Sequence, residues 1–277
     1  MKRITASGIK LPLATYNTQQ LDRTEIIMSQ AAAEKSLKLK DRVILVTGAS
    51  YGIGAHAALA YAREGATVIL LGRTQDMLEA VYDRIEEEGL PQAAVLPFDL
   101  GCNDEEKFIE LADLIAREFG RLDGALLNAG VLGQKAPLDG YKWAAWKQVM
   151  DINVNGQFLL AKSITPLLER SEHGASLVLT SSSVGREGRA YWGAYSVSKF
   201  AIEGMMQILA EELYDSRNIR VNSLNPGGTR TSMRAEAYPA ENPANLTTPD
   251  EIMDIHVYLM SDESKHINGQ ALDAQPK

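Results

Sequence analysis

Short apolar runs recur along the chain from residue 42 onward, and longer segments of mixed polarity separate them. Apolar runs rich in β-branched residues are typical of strands that are buried on both faces of a parallel sheet. Strands are predicted at 42–46, 66–71, 93–98, 122–127, 175–180 and 219–224, with a short last strand near 271–272. Because helical segments alternate with these strands, the pattern predicts a single α/β domain. Its doubly wound parallel sheet should have about seven strands, with helices on both faces.

Two segments between the predicted strands add detail to this picture. A long helix is predicted through Trp143, Trp146, Met150 and Phe158, and both tryptophans are expected to pack on a helix face. Residues 229–249 carry three prolines and predict a loop with a short helix. Because this loop follows the carboxyl end of a strand, where α/β sheets bind ligands, it is the predicted substrate loop.

The N-terminal part of the chain differs from the rest in charge. The first 40 residues hold seven basic and three acidic side chains, although the whole chain has a net charge of −8. No apolar run of secretory length occurs there, so a signal peptide is not predicted. A basic start without acids faintly resembles a mitochondrial transit peptide, and Met28 stays open as an alternative start. We expect residues 1–39 to be a poorly ordered extension and residues 40–277 to form the domain.

Composition narrows the classes of partner. A net charge of −8 argues against nucleic acid or an anionic membrane as the main partner. No run of 18 apolar residues occurs, so a membrane span is not predicted. The single cysteine, Cys102, excludes an intramolecular disulfide and indicates a reducing, cytoplasmic compartment. No metal site is predicted.

A glycine-rich turn follows the first predicted strand, in Thr47-Gly48-Ala49-Ser50-Tyr51-Gly52-Ile53-Gly54. An alanine-rich segment with helical character comes directly after it. Strand, glycine turn and helix form the context of a dinucleotide-binding loop, in which the backbone approaches the pyrophosphate at a helix N-terminus. A tight turn without a ligand is the alternative. The predicted cofactor contacts in this turn are Gly48, Ser50, Tyr51, Gly52, Ile53 and Gly54.

Tyr195 and Lys199 stand four residues apart, which on a helix places both on one face. The pKa of an unperturbed tyrosine is about 10, and a neighbouring cation lowers it by favouring the phenolate. Lowering it to about 7 requires roughly 4 kcal/mol. We expect the Lys199 ammonium and a cationic nicotinamide ring to supply that amount. Such pairs also occur by chance on many helices, so the pair alone is weak evidence of catalysis.

The ordered set of motifs resembles the short-chain dehydrogenase/reductase family over roughly residue 40 to the C-terminus. Residues 225–231 and 273–276 are similar to one bacterial subgroup of that family in particular. Ser182 precedes Tyr195 by thirteen positions, the spacing familiar in the family. The motifs that carry the resemblance are Gly48, Gly52, Gly54, Asp99, Asn128-Ala129-Gly130, Asn153, Ser182, Tyr195, Lys199 and Pro226-Gly227.

The resemblance implies a Rossmann-type fold and a catalytic role for four residues. Tyr195 would be the general acid/base, Ser182 would hydrogen-bond the substrate oxygen, and Asn153 would support a proton path to Lys199. Asn155 is a near neighbour of Asn153, and Ser181 and Ser183 flank Ser182, so only register and spacing select among them. The remaining implied cofactor contacts are Asp99, Leu100, Asn128, Gly130, Tyr195, Lys199, Pro226, Gly227, Thr229 and Thr231.

The end of the second strand bears on the choice of cofactor. An NAD site usually places a carboxylate there for the ribose 2′-hydroxyl, whereas this chain has Gly72 followed by Arg73. A guanidinium suits a 2′-phosphate, so NADP(H) is favoured. NAD(H) remains possible, because Tyr51 replaces the second basic residue that NADP-preferring relatives often carry, and a shifted register would offer Asp76 to the ribose.

These observations predict an NADP(H)-dependent oxidoreductase that interconverts a small-molecule carbonyl and an alcohol. The alternative is an NADP(H)-binding sensor or interaction module with little turnover. The resemblance implies a homodimer or homotetramer that pairs through the Trp146 and Tyr195 helices. Arg186 and Arg189 lie between Ser182 and Tyr195 and are candidates for holding an anionic substrate, the alternative being that they face solvent or a partner subunit.

Overall fold

Seven parallel strands form one sheet in the computed structural model, which describes residues 37–275. The strand order is β3-β2-β1-β4-β5-β6-β7, so the order reverses between β1 and β4. The predicted α/β class and the doubly wound parallel sheet are confirmed. The strands are β1 Val43–Thr47, β2 Thr67–Gly72, β3 Ala94–Pro97, β4 Gly124–Leu127, β5 Ala175–Thr180, β6 Ile219–Asn225 and β7 Ala271–Asp273.

Helices cover both faces of the sheet. Because successive side chains of a strand point to opposite faces, β1 contributes Val43 and Leu45 to one apolar layer and Ile44 and Val46 to the other. The first layer contains residues of α3, α5 and α6, and the second contains residues of α1, α2 and α8. The helices are α1 Gly52–Arg63, α2 Gln75–Glu87, α3 Glu105–Phe119, α4 Trp143–Met150, α5 Gly156–Leu168, α6 Gly193–Arg217, α7 Ser232–Ala237 and α8 Met253–Met260.

The helix predicted through residues 143–158 has a widened turn in its middle. Between α4 and α5, residues Asp151–Asn155 form a π-helical turn, so the whole segment is continuous but not uniformly α-helical. Single π turns of this kind often occur at functional sites. The periodicity of the sequence indicates a helix here but contains no signal for the extra residue in the turn.

Some positions differ from the prediction. Trp146 is half-buried and packs edge-on against Tyr141, as a helix-face residue would. Trp143 does not pack in this way, since it is 72% exposed at the first residue of α4. Leu39, which the sequence placed in the extension, is fully buried, so the packed unit begins at Lys38. The rest of the predicted extension, residues 1–36, lies outside the described residues.

The predicted substrate loop is irregular, with one short helix. It follows β6 and contains α7 and a single turn of 3-10 helix at Pro243–Asn245. None of the described helices is long and apolar enough to cross a membrane.

Candidate active site

A cleft of about 1090 Å³, including the space at its mouth, opens at the carboxyl ends of the strands. Ligands of α/β sheets bind at this edge, near the point where the strand order reverses. The cleft connects the glycine turn at one end with Tyr195 at the other. The predicted site residues that line it are Gly48, Ser50, Tyr51, Gly52, Ile53, Arg73, Asp99, Leu100, Asn128, Gly130, Tyr195, Lys199, Pro226 and Thr231.

The glycine turn leaves its backbone open to a ligand. Gly48 and Gly52 have φ angles of +66° and +58°, a conformation that residues with a side chain rarely adopt. Gly54 does not line the cleft, and its role is packing, because a Cβ there would lie 2.2 Å from the Gly48 carbonyl oxygen. The Tyr51 side chain forms no capping hydrogen bond within the described part of the chain. The first N–H groups of α1 therefore remain available, as binding of a pyrophosphate requires.

Thr47 connects this turn to β4. Its hydroxyl accepts hydrogen bonds from the backbone N–H groups of Asn128 and Ala129, at 2.9 and 3.0 Å. The Asn128 amide returns a hydrogen bond of 3.3 Å to the Thr47 carbonyl. Asn128 therefore holds two strand ends together beside the cleft. The prediction missed Thr47, because no local pattern shows that a threonine at a strand end contacts a turn 81 residues away.

At the end of β2, a side chain in place of Gly72 would crowd the side chains of Ser50 and Leu78. A Cβ at Gly72 would lie 2.6 Å from the Ser50 hydroxyl. Arg73 is exposed and lines the cleft. Asp76 lies in the first turn of α2 and is not among the described residues that line the cleft. Arg73, and not Asp76, therefore occupies the position after β2 that lines the cleft.

Asp99 and Leu100 lie where β3 ends. The Asp99 carboxylate accepts a hydrogen bond of 3.0 Å from the Gly101 backbone and begins a turn of 3-10 helix at Leu100–Cys102. Leu100 is buried under this turn. Asp99 and Leu100 both line the cleft.

Tyr195, Lys199 and Ser182 meet at the other end of the cleft. Tyr195 and Lys199 lie in the first two turns of α6, and their side chains are 8% and 4% exposed. The Tyr195 phenol and the Ser182 hydroxyl share a hydrogen bond. The Lys199 Nζ lies 5.6 Å from the centre of the Tyr195 ring and donates a hydrogen bond of 2.7 Å to the Thr180 carbonyl at the end of β5.

Burial dominates the protonation of this pair, which differs from the expectation. Desolvation raises the pKa of Tyr195 to about 12, and the hydrogen bond from Ser182 only partly opposes this effect. Desolvation also lowers the pKa of Lys199 to about 8, while the charge of Glu203 opposes that decrease. The spacing in the sequence correctly pairs the two side chains, but it contains no information about how deeply they are buried. The phenol is consequently held in its protonated form at neutral pH.

Asn153 lies in the π turn and is 1% exposed. Its Oδ1 accepts from the Val131 N–H at 2.8 Å, and its Nδ2 donates to the Val131 carbonyl at 2.9 Å and to the Ser198 hydroxyl at 3.1 Å. Asn153 thus links the segment that follows β4 to α6, at the residue before Lys199. Asn155 is exposed and bonds Asp151 instead, which agrees with the choice of Asn153.

The remaining predicted cofactor contacts lie in the loop after β6, and only some of them line the cleft. Pro226 and Thr231 line the cleft, and the Thr231 hydroxyl caps α7 by accepting from the Arg234 N–H. Thr229 was predicted to contact the cofactor but does not line the cleft. It is 3% exposed, and its hydroxyl donates to the Pro226 carbonyl inside the loop. Gly227, with a φ of +72°, shapes the turn and does not line the cleft either.

Gln275 holds this loop and was missed by the sequence analysis. Its Nε2 donates to the Pro226 carbonyl at 2.7 Å and to the Thr229 hydroxyl at 3.2 Å, and its Oε1 accepts from Thr247 at 3.0 Å. A side chain 49 residues away therefore fixes the turn that the sequence assigned to Pro226 and Gly227. Only the position of Gln275, just past the last strand, hinted at such a role.

Arg186 is not available to a substrate, contrary to the hypothesis from the sequence. Its guanidinium donates to the Glu203 carboxylate, to the Asp273 carboxylate and to the Leu272 carbonyl, each at 2.9 Å. All of these partners belong to α6 and β7, not to the cleft. Arg189 is exposed.

The other side of Tyr195 is apolar and aromatic. The Tyr195 ring packs in a small cluster with Leu132, Val184, Ala237 and the partly buried Trp192, Met233 and Tyr238. The Lys135 ammonium lies 4.8 Å from the ring centres of both Trp192 and Tyr238 and donates to the Ala237 carbonyl at 2.7 Å. This contact joins the substrate loop to the start of α6. In the described residues, no group of three or more His, Cys, Asp or Glu side chains is arranged to hold a metal ion.

Comparison with known proteins identifies the family. The short chain dehydrogenase family model matches residues 42–242. The oxidoreductase YciK of Escherichia coli K12 is 53% identical over 238 residues, which cover 86% of this chain and 93% of YciK. This confirms the predicted resemblance to one bacterial subgroup, the YciK-type oxidoreductases.

Two solved structures of short chain dehydrogenases are similar over nearly the whole described region. One, from Shigella flexneri 2a, is complexed with NADP, and the other, from Escherichia coli CFT073, is complexed with NADPH. Each is 53% identical with a TM-score of 0.82, and each match covers 87% of this chain and 100% of the other. The chain belongs to the short-chain dehydrogenase/reductase family of oxidoreductases.

Proposed function

We propose that this protein is an NADP(H)-dependent oxidoreductase that interconverts a small-molecule carbonyl and an alcohol, with Tyr195 as general acid/base. One observation carries the proposal. A cleft begins at a glycine turn suited to a pyrophosphate and ends at a buried phenol that is hydrogen-bonded to Ser182, with Lys199 one helical turn away. This arrangement brings a dinucleotide site and a proton donor to the same cavity.

Residues of this chain fit the dinucleotide along the cleft. The N–H groups at the start of α1 suit the pyrophosphate, and Asp99 with Leu100 suits the adenine end. Arg73 suits a 2′-phosphate, because its guanidinium offers several N–H donors and always carries a charge. The complexes of the two similar structures with NADP and NADPH support the same choice over NAD(H).

At the nicotinamide end, the proposed contacts come from two elements. Lys199 would hydrogen-bond the nicotinamide ribose, and Pro226 would face the ring. Thr231 lies next to Gly52 of the glycine turn and would reach the carboxamide or the pyrophosphate. Gly227 and Thr229 support this loop from behind, together with Gln275. Of these groups, Lys199, Pro226 and Thr231 line the cleft.

The catalytic groups then act on the substrate oxygen. When bound, NADPH supplies a hydride to the carbonyl carbon. Ser182 donates a hydrogen bond to the carbonyl oxygen, where negative charge grows in the transition state. Tyr195 transfers its proton to the same oxygen, which completes the alcohol. A phenol pKa of about 12 keeps this proton in place at neutral pH, where it is available for transfer to the carbonyl oxygen.

The proton that leaves Tyr195 must be replaced after each turnover. Asn153 bonds the Val131 backbone and the Ser198 hydroxyl, and it lies in the π turn that packs against α6. We propose that it positions a water-mediated path to Lys199, as the family resemblance implies. Its burial in a π turn holds the amide in one orientation.

A wild-type assay tests this proposal. NADPH oxidation by the purified protein should be detectable across a panel of aldehydes, ketones and quinones, and it should be faster with NADPH than with NADH. The control is the same panel with the Lys199→Met variant, in which both turnover and cofactor affinity should fall. Tight NADPH binding without turnover on any carbonyl would instead support a sensor or interaction module.

We also propose a homodimer or homotetramer in a reducing cytoplasmic compartment, where the free thiol of Cys102 would persist. Three large apolar side chains on the two long helices support this assembly: Phe158 on α5, and Phe200 and Ile208 on α6, are 45–58% exposed. Pairing of these helices would bury them in a symmetric contact. Light scattering at micromolar concentration should give at least twice the chain mass of 30.3 kDa, and a monomer mass would contradict the proposal.

A further inference from the structure

Glu203 is a buried acid that lies behind the catalytic side chains. Tyr195, Lys199 and Glu203 are spaced four residues apart along α6, so they share one face of the helix. Glu203 is 6% exposed. Carboxylates are rarely buried this deeply unless they are paired, because burial without a partner strongly disfavours the charge.

Two partners hold the Glu203 carboxylate. Its Oε1 accepts from Arg186 Nε at 2.9 Å, and its Oε2 accepts from the Ser223 hydroxyl of β6 at 2.6 Å. Arg186 also donates to Asp273 of β7, whose carboxylate accepts a hydrogen bond of 2.8 Å from Asn225. We call Arg186, Glu203, Ser223 and Asp273 the Arg186 network.

The Arg186 network connects the three segments that carry the active site. Arg186 directly follows the turn of 3-10 helix at Ser183–Gly185, and Ser182 precedes that turn. The turn packs closely on α6, since a Cβ at Gly185 would lie 2.7 Å from the Lys199 Cβ. Asn225 immediately precedes Pro226 in the loop that lines the cleft.

Acidic and basic groups lie near Lys199. Tyr195 and Glu203 are the titratable groups on its face of α6, and Arg186 and Asp273 are linked to it through Glu203. On the β5 side, its ammonium meets a neutral acceptor, the Thr180 carbonyl. Glu203 is the acid whose charge opposes the loss of the Lys199 proton on burial.

We propose that Glu203, held in place by Arg186, is a positioning residue that keeps Lys199 charged and aligned with Ser182 during the reaction proposed above. The inference rests on that proposed function for its catalytic consequence. The charge relation between Glu203 and Lys199 does not depend on any reaction.

Substitution of Glu203 and substitution of Arg186 should shift the pKa of Lys199 in opposite directions. Glu203→Gln removes a nearby negative charge, so the pKa of Lys199 should fall by about one unit. Arg186→Gln removes a positive charge while Ser223 still donates to the Glu203 carboxylate, so the same pKa should rise. A purely structural role would give both variants the same kind of defect, because either substitution breaks the same contact.

Two readouts test these signs. In the first, the alkaline limb of the pH profile of kcat with NADPH should move down by about one pH unit in Glu203→Gln and up in Arg186→Gln. In the second, the ¹³C signal of the Lys199 side chain, assigned by its absence from Lys199→Met, should titrate with the same shifts. The matched controls are Glu211→Gln on the same helix and Arg117→Gln in the last turn of α3, both at exposed residues that should leave the wild-type values unchanged.

Shifts of opposite sign in the two variants support the proposal. Shifts of the same sign, or no shift in either, would overturn it, and if one variant fails to fold, the sign of the shift in the other decides. The NMR titration separates this inference from the proposed function. A wild-type protein that turns over no carbonyl but shows both shifts would overturn the reaction while leaving the charge relation intact.

Discussion

Tyr195→Phe is expected to lower kcat for carbonyl reduction by about 10³-fold or more, while NADPH affinity changes by less than about threefold. General acid catalysis by a positioned side chain typically contributes about 10²–10⁴-fold, and this substitution removes the proton donor outright. The Ser182 hydroxyl remains, but it loses its hydrogen bond with the phenol. Steady-state kinetics and calorimetric titration with NADPH measure the two quantities.

The fold should tolerate this change. The Tyr195 ring packs against Trp192, with ring centres 5.7 Å apart, and against the apolar cluster around it. Phenylalanine preserves those contacts and removes only the hydroxyl. Because the phenol is buried with a raised pKa, the loss of its hydroxyl should not destabilise the folded state by more than about 1 kcal/mol, the net contribution of a typical hydrogen bond.

Tyr191→Phe provides the matched control for this experiment. It is the same substitution four residues earlier, at a tyrosine that is 59% exposed, and its turnover should stay within about twofold of wild type. Turnover of Tyr195→Phe within tenfold of wild type would contradict the catalytic role of the phenol. A fall in NADPH affinity as large as the fall in kcat would contradict the separation of binding from chemistry.

The fold was predictable because its signals are local and repeated. The central strand β1 is apolar at nearly every position, and turn residues such as Gly48 stand directly beside the elements they connect. Parallel pairing then follows from the alternation of strands and helices. The pairing of Tyr195 with Lys199 was equally accessible, because both lie on one helix face and the spacing alone brings them together.

Contacts between distant segments were not predictable in the same way. Arg186 stands between Ser182 and Tyr195 in sequence, which suggested the substrate mouth, yet its guanidinium turns to Glu203 and Asp273, 17 and 87 residues away. Thr229 lies in the correct loop, but its hydroxyl bonds within that loop. In both cases the sequence locates the backbone, and the direction of the side chain depends on partners that become neighbours only in the folded chain.

Protonation is the third property that pattern and spacing do not contain. A lysine one turn from a tyrosine lowers the phenol pKa only if the desolvation of the site does not exceed the attraction between them. Here the burial of both side chains is the larger effect, and it moves their pKa values in opposite directions, to about 12 and about 8. The charged groups around the pair, Glu203 above all, therefore matter as much as the pair itself.

Arg73→Asp is expected to weaken NADPH binding by about 10²-fold and NADH binding by less than about threefold, which would invert the cofactor preference. A hydrogen bond to a charged group contributes about 1.5–3 kcal/mol, a factor of roughly 10 to 150 in affinity. The substitution also replaces attraction to the 2′-phosphate with repulsion. Calorimetric titration of each cofactor into wild type and variant measures the change.

The position of Arg73 makes this a test of the 2′-phosphate alone. It lines the cleft at the end of β2, beside Ser50 and Gly72, while the pyrophosphate end is formed by the backbone of the glycine turn. Because Arg73 is exposed, its attraction to a phosphate should weaken as salt is added, and that salt dependence should disappear in the variant. NADH lacks the 2′-phosphate, so its affinity should change little with added salt or with the Arg73→Asp substitution.

Arg117→Asp makes the same change in net charge at an exposed residue in the last turn of α3, and it should leave both affinities within about twofold. Comparison with this control separates a direct contact from the general effect of a more negative protein, which would weaken both cofactors together. If wild type binds NADH more tightly than NADPH, or if Arg73→Asp and Arg117→Asp weaken NADPH binding equally, then Arg73 does not select the cofactor. In that case the preference would have to come from other residues that line the same end of the cleft, such as Ser50, Tyr51 or Thr74.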